Sequence, residues 1–272
     1  MSKVQAIADP NYVNNQYRTA SNLNTRIRLH QEFSTNKYGW QRWLFDQFKF
    51  MPQSRILELG CGAGNLWLEN LDRIPAELEI ILSDFSEGIL GQAQQNLRNS
   101  SSFFQFKVID AQSIPFDNAS FDIVIASMML YHVPDRSKAL SEIKRVLKPT
   151  GRFYSSTGGC NHLKELSDLI SRFDFQLSSW GNLTSDTFSL ENGPAQLGDY
   201  FANVSLYRYA DSLIVTDANL LTDYILSGRI ELSSDQQLDL AKFVEQELKA
   251  NDGKFYITKD SGVFESNNIL QP

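Results

Sequence analysis

Cysteine, histidine and long apolar runs are scarce in this sequence of 272 residues, and acidic residues outnumber basic ones. Two cysteines, Cys61 and Cys160, are too few for a disulfide framework. The formal charge of −7 argues against a nucleic-acid partner, because such proteins usually present a basic surface. The strongest apolar run, residues 123–130, has the length of a strand rather than of a membrane span. We therefore expect a cytoplasmic protein with no nucleic-acid and no membrane partner.

The three histidines, His30, His132 and His162, lie far apart without paired spacing, so we expect no metal site. No repeat or Pro/Gly-rich linker divides the chain, which favours a single domain. One charge asymmetry stands out: residues 1–50 carry seven cations and three anions, a net charge of +4 in an acidic chain. Such a segment could meet an anionic ligand group, although an ordinary solvated face is the commoner interpretation.

Short apolar segments alternate with amphipathic ones through the middle of the chain. Strands are predicted at residues 55–59, 78–82, 104–109, 121–126 and 152–156, and helices at 65–71, 87–98 and 134–147. This alternation predicts a parallel sheet that is covered by helices on both faces. Lys148-Pro-Thr-Gly151 is interpreted as a turn before the fifth strand.

The pattern weakens after residue 157. Helices are predicted at residues 162–173, 219–226 and 235–249, and a strand at 204–215 that breaks near Ala210-Asp211. Residues 255–258 and 263–265 are interpreted as two short strands joined by a hairpin turn at Lys259-Asp-Ser-Gly262.

Three polar features follow successive predicted strands, where open α/β sheets bind their ligands. The first is Glu58-Leu-Gly60-Cys-Gly62-Ala-Gly64, whose glycines let a ligand approach the backbone. The second is Asp84, twenty residues after Gly64, about the ~20-residue interval at which an acid reaches a ribose diol. The third is Asp110-Ala-Gln112, placed to meet a base ring. Together they predict a nucleoside site.

The glycine spacing helps to choose the nucleoside. Dinucleotide folds usually show G-x-G-x-x-G, whereas this turn reads G-x-G-x-G and continues with Asn65. A carboxylate at Glu58 would repel a pyrophosphate but suits a ligand that bears an ammonium group. An amino-acid-like nucleoside therefore fits better, and a nicotinamide-dependent oxidoreductase is kept as the alternative.

At this point the sequence resembles the class I, seven-stranded S-adenosylmethionine-dependent methyltransferases, most closely the "methyltransferase type 11" group of small-molecule enzymes. The resemblance covers residues 55–157 and rests on these blocks: residues 56–64, Asp84-Phe-Ser, residues 110–116, 120–126, 130–135 and 142–151. It implies a Rossmann-like, mostly parallel seven-stranded sheet with helices on both faces. It also implies that S-adenosylmethionine is the cofactor and S-adenosylhomocysteine the product.

The resemblance assigns the cofactor residues one by one. Gly60, Cys61, Gly62 and Gly64 would lie along the methionine portion, with Glu58 near its amino end and Ser127 beside it. Asp84 would accept hydrogen bonds from the ribose hydroxyls, and Phe85 would lie beside the adenine. Asp110 would take the adenine amino group, next to Ala111 and Gln112. Thr150 stands where this turn commonly has glycine, which affects no catalytic position.

Methyl transfer mainly requires that the acceptor atom be held in line with the sulfonium methyl while water is excluded. A hydroxyl or a protonated amine must also lose a proton, for which His132 is the best-placed base and His30 a second candidate. A structural role is equally consistent with His132, and a surface position with His30. We expect methylation of an oxygen or nitrogen atom of a small metabolite. A catalytically inactive cofactor-binding partner subunit remains the non-enzymatic alternative.

These inferences give a predicted layout of one methyltransferase domain over residues 1–272. Residues 1–50 would form N-terminal lid helices, residues 51–160 the cofactor-binding core, and residues 161–272 the rest of the sheet with a helical substrate cap.

Overall fold

A seven-stranded sheet forms the centre of the computed structural model, which describes residues 20–174, 187–228 and 232–268. The strands are β1 (Arg55–Leu59), β2 (Glu79–Asp84), β3 (Phe104–Val108), β4 (Phe121–Ser127), β5 (Leu147–Gly158), β6 (Asn203–Val215) and β7 (Phe255–Asn267). Their order across the sheet is β3-β2-β1-β4-β5-β7-β6. Strands β1 to β5 pair in parallel, and β7 runs antiparallel to both β5 and β6. The predicted seven-stranded, mostly parallel sheet is confirmed.

Helices cover both faces of this sheet within the described ranges. They are α1 (Ala20–Phe33), α2 (Trp40–Asp46), α3 (Asn65–Leu68), α4 (Glu87–Asn96), α5 (Arg136–Val146), α6 (Lys164–Phe173), α7 (Gly193–Gly198), α8 (Ala218–Leu226) and α9 (Ser234–Ala250). Short 3₁₀ turns occupy Leu71–Arg73, Arg98–Phe103 and Leu130–His132. No helix in these ranges is both long and apolar enough to cross a membrane.

Two hydrophobic cores lie on opposite faces of the sheet because successive strand residues point in opposite directions. On β1, Leu57 and Leu59 face the core that contains α5, whereas Ile56 faces the core that contains α2, α3 and α4. Helix α5 turns its predicted apolar face to the first core, and the Asp135 side chain caps it by accepting a hydrogen bond from the Lys138 N–H at 2.9 Å. A third core joins α6, α8 and α9 to β6 and β7.

Three local predictions beyond the parallel strands are wrong. The Lys259–Gly262 stretch is no hairpin turn, since β7 is continuous and pairs with β5 on one side and β6 on the other. A Cβ atom at Gly262 would lie 2.7 Å from the Tyr207 carbonyl oxygen, so this glycine permits close strand contact. Strand β6 likewise continues through Ala210-Asp211. The predicted turn at 148–151 is an irregularity inside β5, whose partner on β4 shifts register between Phe121 and Ile123.

The N-terminal segment is attached at the far edge of the sheet. The Thr35 N–H donates to the Ser212 carbonyl oxygen at 2.9 Å, and Ser34 forms an isolated bridge with Leu213 of β6. The first 19 residues of the predicted 1–50 lid lie outside the described residues. The division into a lid, a core and a cap stays a prediction.

Gly64, in the turn between β1 and α3, has a backbone conformation that favours glycine. Its φ is +78°, and a Cβ atom there would lie 2.9 Å from a Leu97 methyl carbon and 3.4 Å from the Ala93 Cβ. We expect Gly64→Ala to lower the free energy of unfolding by about 2 kcal/mol, since a side chain in the left-handed region is strained even where a neighbour can shift. The matched control is Gly91→Ala in α4, whose new Cβ would have no neighbour within 4 Å. Urea unfolding should show the control to be as stable as the wild type or more so; equal midpoints for the two variants would contradict the expectation.

Candidate active site

A cavity of about 860 Å³ opens at the carboxyl ends of the parallel strands. This volume lies within the range of ligand sites, which is roughly 300–1,000 Å³. All the cofactor-binding residues that the sequence predicts line it except Gly64, which lies beneath: Glu58, Gly60, Cys61, Gly62, Asp84, Phe85, Asp110, Ala111, Gln112 and Ser127. Both candidate bases, His132 and His30, line the same cavity. The fold therefore brings the candidates together, while their individual roles stay predictions.

The glycine turn leaves its backbone open to the cavity. Gly60 and Gly62 adopt φ values of +68° and +56°, which favour glycine. A Cβ atom at Gly60 would lie 2.9 Å from Met129 Cβ, so the glycine allows Met129 to pack directly against the turn. The Cys61 N–H donates to the Ser83 carbonyl oxygen at 2.8 Å and ties the turn to β2. A ligand can therefore lie directly along this backbone.

Asp84 fastens the same turn from the end of β2. Its Oδ2 accepts a hydrogen bond from the Gly62 N–H at 3.0 Å, and its Oδ1 accepts one from the Ser86 N–H at 2.9 Å. Burial raises the pKa of Asp84, and these backbone donors oppose the rise. The next residue, Phe85, keeps 40% of its surface exposed, which leaves its ring available as a wall for a planar group.

Asp110 lies just beyond β3 in a tight turn of its own. Its Oδ1 accepts hydrogen bonds from the Gln112 N–H at 2.8 Å and from the Gln112 side-chain amide at 3.0 Å. Ala111 between them is buried. A planar ring that reaches this turn would meet a carboxylate and a peptide edge together.

Glu58 is the most perturbed acid of the cavity. Its side chain is only 2% exposed, and its Oε2 accepts a hydrogen bond from the Trp67 indole N–H at 2.6 Å. Burial raises the pKa of Glu58 to about 7, while the indole donor lowers it in part and the Asp84 charge adds to the rise. A buried carboxylate of this kind favours a cationic partner.

The histidines lie on the other side of the cavity. His132 ends a 3₁₀ turn after β4, with its ring 4.5 Å from that of Tyr131. His30 comes from α1 and meets the Tyr224 ring edge-on at 5.8 Å. Burial, with help from the charge of Lys259, lowers the pKa of His30 well below its usual value, so its ring is neutral at pH 7. Ser127 is held by Ser156, with 2.9 Å between their hydroxyl oxygens.

Four further cavity residues escaped the sequence interpretation: His162, Lys259, Ser261 and Tyr224. The sequence predicts that His162 caps or begins the next helix, and this residue does lie just before α6. Its ring also lines the cavity. Lys259 and Ser261 had been placed in the supposed hairpin turn. No local signal could have revealed them, because an antiparallel strand distant in sequence carries two of the four.

Cys160 is exposed and is absent from the cavity lining. Its possible ligand atom lies within 4.8 Å of those of Glu191 and Asp260. Asp260, however, pairs with Arg208, and Glu191 accepts a hydrogen bond from the Cys160 N–H at 3.1 Å. These contacts account for both carboxylates, and we assign no metal to the group.

The sheet order, with one reversed strand next to the edge, and a nucleoside-type site at the strand ends define the class I methyltransferase architecture. Solved structures share it. Phosphoethanolamine N-methyltransferase 2 of Haemonchus contortus, in complex with S-adenosyl-L-methionine, aligns at a TM-score of 0.61 and 16% identity over 96% of this chain and 60% of that one. The [4+2]-cyclase SpnF aligns at a TM-score of 0.59 and 16% identity over 96% of this chain and 97% of that one. At such identities the likeness establishes the fold.

Sequence comparison gives the family. Residues 57–155 match the family described as "Methyltransferase domain". The demethylmenaquinone methyltransferase of Lactobacillus johnsonii is 33% identical over 138 residues, which are 48% of this chain and 57% of that protein. The ubiquinone/menaquinone biosynthesis C-methyltransferase UbiE of Idiomarina loihiensis is 29% identical over 62% of each chain. The chain thus spans about three-fifths of the length of these two relatives. Over residues 57–155 the chain is similar to S-adenosylmethionine-dependent methyltransferases of class I, whose fold it shares.

Proposed function

We propose that this protein transfers a methyl group from S-adenosylmethionine to an oxygen or nitrogen atom of a small molecule and releases S-adenosylhomocysteine. One observation carries the proposal: the Asp84 carboxylate holds the Gly62 N–H at 3.0 Å in the same cavity as Glu58 and Asp110. An adenosyl amino acid has a diol, a base and an ammonium group, and each has a matching side chain there.

The residues present fit this cofactor. Gly60 and Gly62 line the cavity without side chains of their own, so the methionine portion could approach the backbone of the turn. Glu58 would pair with its ammonium group, Asp84 with the ribose hydroxyls and Asp110 with the adenine amino group. Gly62, Cys61, Phe85, Ala111, Gln112 and Ser127 would complete the cofactor site, either along the methionine portion or around the adenine, while Gly64 would shape the turn without lining the cavity.

The cofactor supplies an activated methyl group on a positively charged sulfur. The chain must orient the acceptor toward that group, exclude water and take up a proton where the acceptor carries one. His132 and His30 are the proposed bases, because both line the cavity and the low pKa of His30 keeps an imidazole nitrogen available as an acceptor. The roles of both histidines are part of the proposal.

The proposal is tested by titrating the purified protein with S-adenosylhomocysteine and, separately, with NADH by calorimetry. We expect a dissociation constant for S-adenosylhomocysteine on the order of micromolar, at the low end of ordinary Michaelis constants. NADH should bind much more weakly. Tighter binding of NADH would instead favour the oxidoreductase alternative. Failure to bind S-adenosylhomocysteine at millimolar levels would refute the assignment.

Catalysis needs a separate measurement. Labelled S-adenosylmethionine is incubated with the protein and a metabolite pool, and S-adenosylhomocysteine release and the methylated product are followed. We expect release above the level without protein, with the label on oxygen or nitrogen. Binding without release would favour the inactive partner subunit, and label on carbon would correct the proposed acceptor atom toward the chemistry in the name of the UbiE relative.

A further inference from the structure

Acidic and basic residues both line the cavity. Among its acids, Glu58 lies on β1, Asp84 ends β2, Asp110 follows β3, and Glu69 follows α3. Among its cations, Lys259 lies on β7, and Arg26 and Lys37 come from α1 and the segment after it, whereas Arg42 on α2 pairs with Asp72. The proposed cofactor uses the acidic side. The basic side, with Lys259, Arg26 and Lys37, is left to the methyl acceptor.

Lys259 is the most buried of these cations. Its side chain is 8% exposed and that of its partner Asp211 is 0% exposed, with 2.6 Å between Nζ and Oδ2. Asp211 is fully engaged, because it also accepts hydrogen bonds from the Ser34 hydroxyl at 2.7 Å and the Asn36 N–H at 2.9 Å. An ammonium group has three N–H donors, and within the described residues Lys259 uses one. Lys259 therefore retains donors for a ligand in the cavity that it lines.

His162 presents a second donor, and its tautomer follows from its contacts. The Asp260 N–H donates to His162 Nδ1 at 3.2 Å, so this nitrogen carries a lone pair. Burial, with help from Lys259, lowers the pKa of His162 to about 4, so the ring is neutral and its one proton lies on Nε2. Gly158 leaves room for the ring, because a Cβ atom there would lie 3.2 Å from it. No described residue bonds to Nε2.

On this side of the cavity, the hydrogen-bonding capacity of His30 is not fully used. Its Nδ1 is buried and has no hydrogen-bond partner among the described residues. The charges of Lys259 and Arg26 lower the pKa of His30 and that of Asp211 raises it, so the ring lies within reach of several charged groups. A buried polar atom without a partner calls for an explanation, and a polar ligand group near it supplies one.

We propose that Lys259 and His162 bind an anionic oxygen of the methyl acceptor, with the Lys259 ammonium group giving the charge and the Nε2–H of His162 the directed hydrogen bond. The acceptor class is thus a phenol or enol that binds as its anion, or a carboxylate. This inference rests on the proposed function, since it assumes that the acceptor occupies the cavity beside the cofactor. A protonated amine would meet the Lys259 ammonium group and an N–H donor at this place and is disfavoured.

The first test uses probes of matched size in the presence of saturating S-adenosylhomocysteine: 4-nitrophenol, benzoate and benzylamine. We expect 4-nitrophenol to bind as its coloured phenolate, and therefore to keep its colour at a pH below its own pKa. Benzoate should bind at least about tenfold more tightly than benzylamine, since a hydrogen bond to a charged group contributes about 1.5–3 kcal/mol. Preference for benzylamine, or no binding of either anion, would overturn the inference. Retained colour of 4-nitrophenol with no benzoate binding would restrict the acceptor to phenols and enols. Benzoate binding with no retained colour would restrict it to carboxylates.

The second test uses variants. Lys259→Met alone would leave Asp211 buried and unpaired, so the variant is the double Asp211→Asn/Lys259→Met. His162→Asn keeps an acceptor for the Asp260 N–H but removes the donor at Nε2, whereas His162→Gln places an amide N–H near the Nε2 position. Lys242→Met is the control, because Lys242 is 69% exposed on α9.

Phenolate affinity should fall about ten- to hundredfold more than S-adenosylhomocysteine affinity in the double variant and in His162→Asn. His162→Gln should recover most of the loss, and Lys242→Met should match the wild type. If the variants lose phenolate and S-adenosylhomocysteine affinity equally, or lose no phenolate affinity, the proposed site for the anionic oxygen is wrong, while the proposed methyltransferase function is unaffected. Loss of S-adenosylhomocysteine binding by the wild-type protein would instead count against the proposed function.

Discussion

Asp84→Asn is expected to lower the affinity for S-adenosylhomocysteine by about a hundredfold. Each oxygen of the Asp84 carboxylate accepts a backbone N–H, Oδ1 from Ser86 and Oδ2 from Gly62. Asparagine has one oxygen, so its NH₂ group must point at one of these donors. The variant therefore loosens the glycine turn and also removes an acceptor for the ribose hydroxyls. Two interactions of a charged group, each at the lower end of about 1.5–3 kcal/mol, account for the expected loss.

The measurement is a calorimetric titration beside the control Asp239→Asn. Asp239 is 65% exposed on α9, outside the cavity lining, and should change the affinity by less than twofold. Urea unfolding of both variants shows whether the turn has also lost stability. An Asp84→Asn protein that binds S-adenosylhomocysteine as the wild type does would remove Asp84 from the cofactor site.

Glu58→Gln is expected to change stability and ligand affinity in opposite directions. An acid whose pKa rises from 4.5 to about 7 on folding costs the folded state on the order of 3 kcal/mol once it is ionised. Glutamine carries no charge, and its amide oxygen can still accept the Trp67 indole N–H. The variant without ligand should therefore be more stable than the wild type at pH 8. It should bind S-adenosylhomocysteine about ten- to hundredfold more weakly, because it lacks the charge that would meet the ammonium group.

The contribution of Glu58 to the free energy of unfolding depends on pH. Because folding raises the pKa of Glu58, its protonated form favours the folded state; that contribution is present below pH 4.5 and is lost as the pH rises through about 7. Urea unfolding at several pH values should show no difference between variant and wild type below pH 4.5 and the full difference above about pH 7. Glu79→Gln is the matched control, since the Glu79 side chain is 45% exposed on β2. A constant difference at all pH values would show that Glu58 is not the titrating group.

The cofactor side of the cavity could be predicted because its signals are local. Gly60, Gly62 and Asp84 each follow directly on an apolar strand, and parallel strands end at a common edge. The chain alone therefore indicated that these residues would meet, and the 3.0 Å contact between Asp84 and Gly62 agrees with it. The helical face of α5 was equally readable from its apolar spacing.

The proposed acceptor side could not be predicted for a physical reason. Lys259 reaches the cavity because β7 pairs with both β5 and β6, and strand pairing between distant segments leaves no periodic pattern in either one. The sequence Lys259-Asp-Ser-Gly262 has turn composition, yet two flanking strands keep it extended. His162 was equally hidden, since its role depends on the N–H of Asp260, nearly a hundred positions away.

The position of β7 also has a consequence for folding kinetics. β7 follows β6 in the chain but lies between β6 and β5, so β6 is joined to the rest of the sheet only through β7. Until β7 arrives, β5 presents an unpaired edge, a hazard for aggregation, and such distant pairings form slowly. Lys259 and Ser261 arrive with that same strand. A refolding chain should therefore become able to bind the nucleoside before it can recognise the acceptor, and ligands of the acceptor side should slow the departure of β7 during unfolding.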